Sequence, residues 1–307
     1  MRIRDIIIVV IIFITIPINA QNKRALLIGI ASYPTYKIDK LGWNDIHGDN
    51  DVKLLRATLK NQGFSVNSVV NKHATAKGIR KALSNMVSNT KQGDIVYVHF
   101  SGHGQPYEDL NGDEEDGWDE AIIPYDAGAR YVANVYEGNN HIVDDELNGY
   151  INQIRKRAGI NGFVYVVIDA CHAGGSSRGD EYDEDEELFT RGTCVGFSEA
   201  NKRYAPRIDK RPVIRVPKKE GVAGTCYIEA CRSYQSNCEI KVGNQYYGPL
   251  SYYINEALKK NNLTSKTRWV DDVRKRMQQD KRLLRQNMVI ETSVKWQLIF
   301  QLTAKRF

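Results

Sequence analysis

The sequence predicts an α/β protein built on a mainly parallel central sheet of about six strands, with helices on both faces. Short runs of β-branched and aromatic residues alternate with stretches of helical spacing. Two of those runs, DIVYVHF at 94–100 and GFVYVVI at 162–168, are almost wholly apolar. Strands that are apolar on both sides belong to parallel sheets covered on both faces. The 307 residues are 42% apolar and 26% charged, which excludes a disordered or low-complexity chain. A mean hydropathy of −0.47 excludes a polytopic membrane protein. The formal charge of +6 is small and its basic residues are dispersed, so no nucleic-acid partner is expected.

At the N-terminus, Arg2 and Arg4 precede an apolar run at 6–16, and PINA follows at 17–20. That order is the signature of a secretory signal peptide, and the run falls short of the ~20 residues of a membrane span. The expectation is an exported protein, periplasmic or secreted, with no membrane partner once residues 1–20 are removed from a 21–307 domain. RALLIGI at 24–30 suits a buried first strand. Val52, Leu55 and Leu59 mark a helix over 49–61 that stops at Gly63. A second strand is expected at 64–70, and a helix at 75–88 through Ile79, Leu83 and Val87. The third strand is 94–100, a helix follows at 144–158, and the fourth strand is 162–168.

After 176 the composition changes. DEYDEDEE occupies 180–187 and a basic stretch occupies 202–219. Charge blocks without periodicity read as an exposed connector over 176–223. Regular structure is expected again at 224–230 (GTCYIEA), in helices at 249–260 and near 270–284, and in a closing strand at 293–302. The domain thus divides into a first part at 21–175, the connector, and a second part at 224–307.

Two strands end in unusual sequences. The third runs out into Ser101-Gly102-His103-Gly104 and the fourth into Asp169-Ala170-Cys171-His172-Ala173-Gly174-Gly175. Ligands gather outside the carboxyl ends of parallel strands, so both ends are expected to face one crevice. A thiol is a nucleophile as thiolate, and a neighbouring imidazole shifts it toward that form. Cys194, Cys226, Cys231 and Cys238 carry no spacing signal and read as core residues or an incidental disulfide. Zinc on His99, His103, Cys171 and His172 is disfavoured, because adjacent residues on one strand end diverge and ligand spacing is lacking.

Together these motifs resemble the caspase-like cysteine peptidases (peptidase C14), and the metacaspases most closely. The similarity extends to 24–33, to Asn44-Asp45, to Ala230-Cys231-Arg232 with Gln235 and Glu239, and to 248–258. The resemblance implies a caspase-like sandwich and a cysteine endopeptidase with a Cys-His dyad. In that implied scheme Cys171 attacks the scissile carbonyl and His103 handles the proton of the leaving amine. The N–H groups of Gly104 and Cys171 hold the oxyanion, and no cofactor is required for the chemistry. The resemblance also implies that Asp45, Ser101 and Asp169 line the pocket for the residue before the cut. Two carboxylates and a hydroxyl favour Arg or Lys, so peptide or protein substrates with a basic residue before the cut are expected. A structural alternative is that Asp169 caps backbone groups.

Two forms of control are also expected. Arg178, Arg191, Lys202, Arg203, Lys210 and Arg211 offer self-processing sites in the connector. Asp109, Asn111, Asp113 and Glu120 stand at positions 1, 3, 5 and 12 of a calcium loop, which suits Ca²⁺ as an activator. Glu114 replaces the usual glycine, and a solvated acidic loop is the competing reading. Two rival functions stay open: a clostripain- or gingipain-like peptidase of the same clan, and a non-catalytic exported binding module that retains the fold.

Overall fold

The computed structural model describes residues 21–38, 40–171, 189–264, 266 and 268–294. The expected signal peptide, the acidic run at 180–187, His172, Arg178 and most of the expected closing strand lie outside the described residues. In chain order the elements are β1 (Lys23–Gly29), α1 (Gly48–Asn61), β2 (Ser65–Val70), α2 (Ala76–Asn89), β3 (Ile95–Ser101) and β4 (Gly104–Glu108). They continue with β5 (Trp118–Ile122), β6 (Ile142–Val143), α3 (Asp144–Ala158), β7 (Phe163–Asp169), β8 (Val213–Arg215) and β9 (Gly224–Glu229). The chain then forms β10 (Ile240–Val242), β11 (Gln245–Tyr247), α4 (Pro249–Leu258), α5 (Arg268–Gln279) and β12 (Val289–Thr292).

Among the described residues the central sheet has seven strands in the order β2-β1-β3-β7-β9-β12-β8. The first five are mutually parallel, β12 runs antiparallel to β9, and β8 pairs parallel with β12. The two-residue period of a strand divides its side chains between two cores. Leu27, Tyr97, Tyr165, Val167 and Ile228 pack with Leu55 and Leu59 of α1, Ile254 of α4 and Trp269 of α5. Leu26, Val96, Val98, Val164 and Val166 pack on the other face with Ile79 and Leu83 of α2 and Ile151 and Ile154 of α3. This double burial is why β3 and β7 read as unbroken apolar runs.

A strand not expected from the sequence, β12, forms at Val289–Thr292. The connector also contributes a strand, since β8 forms the sheet edge. Its three half-exposed residues carry no hydrophobic periodicity to betray them. Register sets the ends of β3 and β7 side by side, with Ser101 opposite Asp169. Gly102 N–H donates to Asp169 O at 3.4 Å, holding the two exits together.

Candidate active site

Past those strand ends, Gly104 N–H and Cys171 N–H both donate to one oxygen, the carbonyl of Arg191, at 3.2 and 2.9 Å. The two sequence-distant loops therefore converge, and a connector residue lies between them. Gly192 follows under tight constraint. A Cβ there would lie 1.9 Å from Cys171 O and 2.8 Å from Gly104 O, so a larger residue would displace backbone.

The Arg191 side chain is fully buried in a carboxylate-lined pocket. Its NH2 pairs with Asp51 Oδ2 at 2.7 Å and with Glu239 Oε1 at 2.7 Å, while Nε donates to the same Glu239 oxygen at 3.1 Å. NH1 donates to Ser101 Oγ at 2.6 Å and lies 3.8 Å from Asp169 Oδ1. Asp169 also accepts from Ser251 N and Oγ and from Asn237 Nδ2, so it caps backbone and faces the guanidinium at once. Gly248 forms the floor, where a Cβ would come within 2.2 Å of Asp169 Oδ2 and 2.4 Å of Arg191 NH1. Three carboxylates around one cation leave burial only partly compensated, and Asp51 is pushed up to about 7, mainly by burial.

Asp45 is not among these groups. Its carboxylate accepts from Tyr33 N at 3.0 Å, at the mouth of the cleft. Asp51, in the first turn of α1, takes the expected place, and Glu239 is an addition. A second Asn-Asp pair, Asn50-Asp51, six residues after the first, was the available signal.

His103 sits between Trp43, stacked at 4.9 Å, and Tyr33, tilted at 5.0 Å. Its Nε2 lies 2.8 Å from Asn44 O, and its Nδ1 has no hydrogen-bond partner among the described residues. Burial, the largest cause, lowers its pKa to about 4, so the ring is neutral near pH 7. A carbonyl can only accept, so the single ring proton is on Nε2 and Nδ1 keeps a free lone pair. The Cys171 thiol meets the Cys231 thiol, a contact that raises the Cys231 pKa together with burial. All five cysteines are unbridged.

The expected calcium quartet is not assembled as such. Asp109 accepts from the amides of Asn111, Gly112 and Glu114, and Asn111 Nδ2 donates to Asp145 Oδ2 at 2.7 Å. Glu120 lies across β5 from Asp119 and faces a different pocket with Glu229 and Glu291. Asp109, Asp113 and Asp119 instead bring carboxylate oxygens within 4.8 Å of one another. Asp144 Oδ1 is buried without a hydrogen-bond partner among the described residues. Burial and neighbouring aspartates push Asp119 up to about 7. Strand alternation explains the exchange of Glu120 for Asp119.

Titration in the second acidic pocket has a measurable sign. Glu229 is pushed up to about 8 by burial first, then by Glu291 and Asp144. An acid whose folded pKa exceeds its unfolded value binds more protons when folded, so stability falls as pH rises through that interval. His99, His103 and His141, lowered by burial to about 4, about 4 and about 3, oppose this trend below pH ~6.5. The melting temperature is therefore expected to drop between pH 6.5 and 8.5, and Glu229→Gln to flatten the drop. A melting temperature that rises over that window in thermal unfolding would contradict this assignment.

Comparisons with known proteins agree with the geometry. A family model of the caspase domain, Peptidase_C14, matches residues 22–296. Metacaspase-7 of Arabidopsis thaliana is 34% identical over 158 residues, covering 50% of this chain and 35% of its own length. Metacaspase-3 of the same plant is 36% identical over 136 residues, covering 41% and 34% respectively. Metacaspase-1 of Pyricularia oryzae is 36% identical over 100 residues, covering 33% and 22%. The matches thus span 22–35% of the length of these three relatives. A crystal structure of a Geobacter sulfurreducens protein shares the fold, with a TM-score of 0.59 at 18% identity over 91% of this chain and 96% of that one.

Proposed function

This chain belongs to the caspase-domain family of C14 peptidases, and from that premise we propose that it is a cysteine endopeptidase cutting after arginine, with its own Arg191–Gly192 bond as a first substrate. The observation that supports this reading best is the seating of Arg191, whose carbonyl oxygen lies between two N–H donors while its guanidinium fills the acidic pocket. In the proposed reaction, His103 Nδ1 takes the thiol proton of Cys171 and the sulfur adds to the Arg191 carbonyl carbon. Gly104 and Cys171 N–H groups hold the oxyanion, a stabilisation of roughly 3–4 kcal/mol for one such donor. The C–N bond to Gly192 then breaks, and the imidazolium returns its proton to the leaving amine. Water hydrolyses the thioester with His103 as base, regenerating the thiol. The Nε2–H bond to Asn44 O fixes the ring orientation and tautomer this sequence needs. For the proton transfer, the Cys171 thiol must turn from Cys231 toward Nδ1.

Arginine fits better than lysine, because Nε, NH1 and NH2 each meet a separate acceptor. A single ammonium would leave buried carboxylates unpaired. With Arg, Lys and Asp fluorogenic peptides, Arg is expected to be cut fastest, Lys at least about tenfold slower, and Asp not at all. Cys171→Ala and His103→Ala should abolish turnover. A folded protein that cuts none of the peptides would instead be a binding module.

Ca²⁺ is proposed as an activator held by Asp109, Asp113, Asp119 and Asp144, a hard-oxygen set suited to that ion. The ion would supply positive charge to the loop that joins β4 and β5, at the far end of that hairpin from the Gly104 donor. Glu108 and Glu115 on that loop's flanks bind Lys202 and Arg207 of the connector, so loop order and connector release are linked. Ca²⁺ should raise the wild-type melting temperature and leave Asp119→Asn almost unmoved. An equal response from both proteins would remove the metal from the scheme. Residues 1–20 support export, so the proposed site of action is periplasmic or extracellular.

A further inference from the structure

We infer that the cleft carries an aromatic subsite for the third residue before the cut, two positions ahead of the arginine, formed by His47 and Tyr246. The subsite selects substrates of the class aromatic-X-Arg-Gly, and the inference rests on the reading of Arg191–Gly192 as a docked substrate bond. Backbone pairing shows that the strip is seated as a peptide would be. Arg191 N–H donates to Asn237 O at 2.9 Å, and Glu239 N–H donates to Phe189 O at 2.8 Å. Thr190 lies antiparallel to Cys238, so 189–191 forms an added strand on 237–239. Such strand addition draws general affinity from main-chain bonds and specificity from alternate side-chain pockets.

Phe189 and Arg191 are those alternate positions. The Phe189 ring stands edge-on to His47 at 4.7 Å and to Tyr246 at 4.8 Å, and His47 and Tyr246 stack on each other at 5.1 Å. Edge-to-face geometry suits an aromatic guest and not an aliphatic or charged one. The subsite is built into the arginine pocket, because Glu239 holds both. Its Oε2 lies 2.6 Å from His47 Nδ1, and its Oε1 accepts from His47 N–H at 2.8 Å and from the guanidinium. Tyr246, on the β10–β11 hairpin, closes the far wall and carries Lys241 Nζ over its ring at 5.5 Å. Thr190 between them is half-buried with its Oγ1 3.7 Å from Cys238 Sγ, a weak contact that specifies the intervening position loosely. Gly192 completes the class, since backbone crowds any Cβ after the cut.

The test uses the self-processed full chain and the fluorogenic pair Phe-Thr-Arg and Ala-Thr-Arg. The Phe peptide should show kcat/KM about 10- to 100-fold higher, from ring burial and aromatic pairing. Tyr246→Ala should bring that ratio toward one, whereas Tyr246→Phe should keep it. A wild-type ratio near one with both peptides cut would overturn the subsite and leave arginine cleavage standing. Loss of both activities in the wild type would overturn arginine cleavage, and the subsite with it. Equal ratios in wild type and Tyr246→Ala would also overturn the assignment.

Discussion

Incubated with Ca²⁺, the wild-type chain is expected to split once between Arg191 and Gly192, and the new fragment should begin Gly192-Thr193-Cys194 on N-terminal sequencing. Cys171→Ala should stay whole under the same conditions. Arg191→Ala should stay uncut at this bond and also unfold more easily. Removing the cation strands Asp51, Asp169 and Glu239 in a buried site, and breaking a buried ion pair typically costs about 3–5 kcal/mol. Arg191→Lys separates the two effects, since it keeps a charge and loses the fork. It should be cut slowly, with a smaller loss of stability. Cleavage after Arg203 or Lys210, with the Arg191–Gly192 bond intact, would refute the docked-substrate reading.

The second large effect concerns Asp51. Asp51→Asn keeps an oxygen at the Oδ2 position, which accepts from Ser101 Oγ at 2.6 Å and from Gly248 N–H at 3.3 Å, but loses the Oδ1 acceptor and the charge that meets the guanidinium. Truncating one partner of a buried charge pair costs about 2–5 kcal/mol, so kcat/KM for arginine peptides should fall by about 10²- to 10³-fold. Most of the fall should appear in KM, because the pocket binds substrate and transition state alike. Asp45→Asn, which retains an acceptor for Tyr33 N–H, should lose less than about tenfold, the worth of one hydrogen bond. Steady-state kinetics on the two variants decides between them, and the reverse order would restore Asp45 to the pocket.

The exchange of Asp45 for Asp51 shows what a one-dimensional reading can and cannot reach. The alternation of strands and helices at 24–101 and 144–168 is legible because each element there is long enough to display its period, whereas the short strands β4, β5 and β6 between them display none. The strand-end residues His103 and Cys171 stand out because glycine-flanked polar groups after apolar runs are uncommon. The pocket is harder, since two Asn-Asp pairs lie six residues apart and only the start of α1 at Gly48 decides which carboxylate lies beneath Ser101. Glu239 enters from a distant loop with no periodic signal. Arg191 is one of several basic residues in a connector whose composition cannot rank them. Ranking needs the pocket itself. Likewise Glu120 and Asp119 are neighbours in sequence, and the pleat of β5 sends them to different acidic sites.

The added strand at 189–191 has a further consequence for kinetics. A single cut frees the Gly192 amine but leaves Phe189-Thr190-Arg191 covalently joined to Cys171 through residues 172–188. The severed end is then a leashed competitor, and short linkers give local concentrations on the order of millimolar. Newly nicked enzyme should accordingly lag before reaching full turnover, and the lag should be independent of enzyme concentration if the leashed end departs by itself. A second nick upstream, for instance after Arg178, would release that end and abolish the delay.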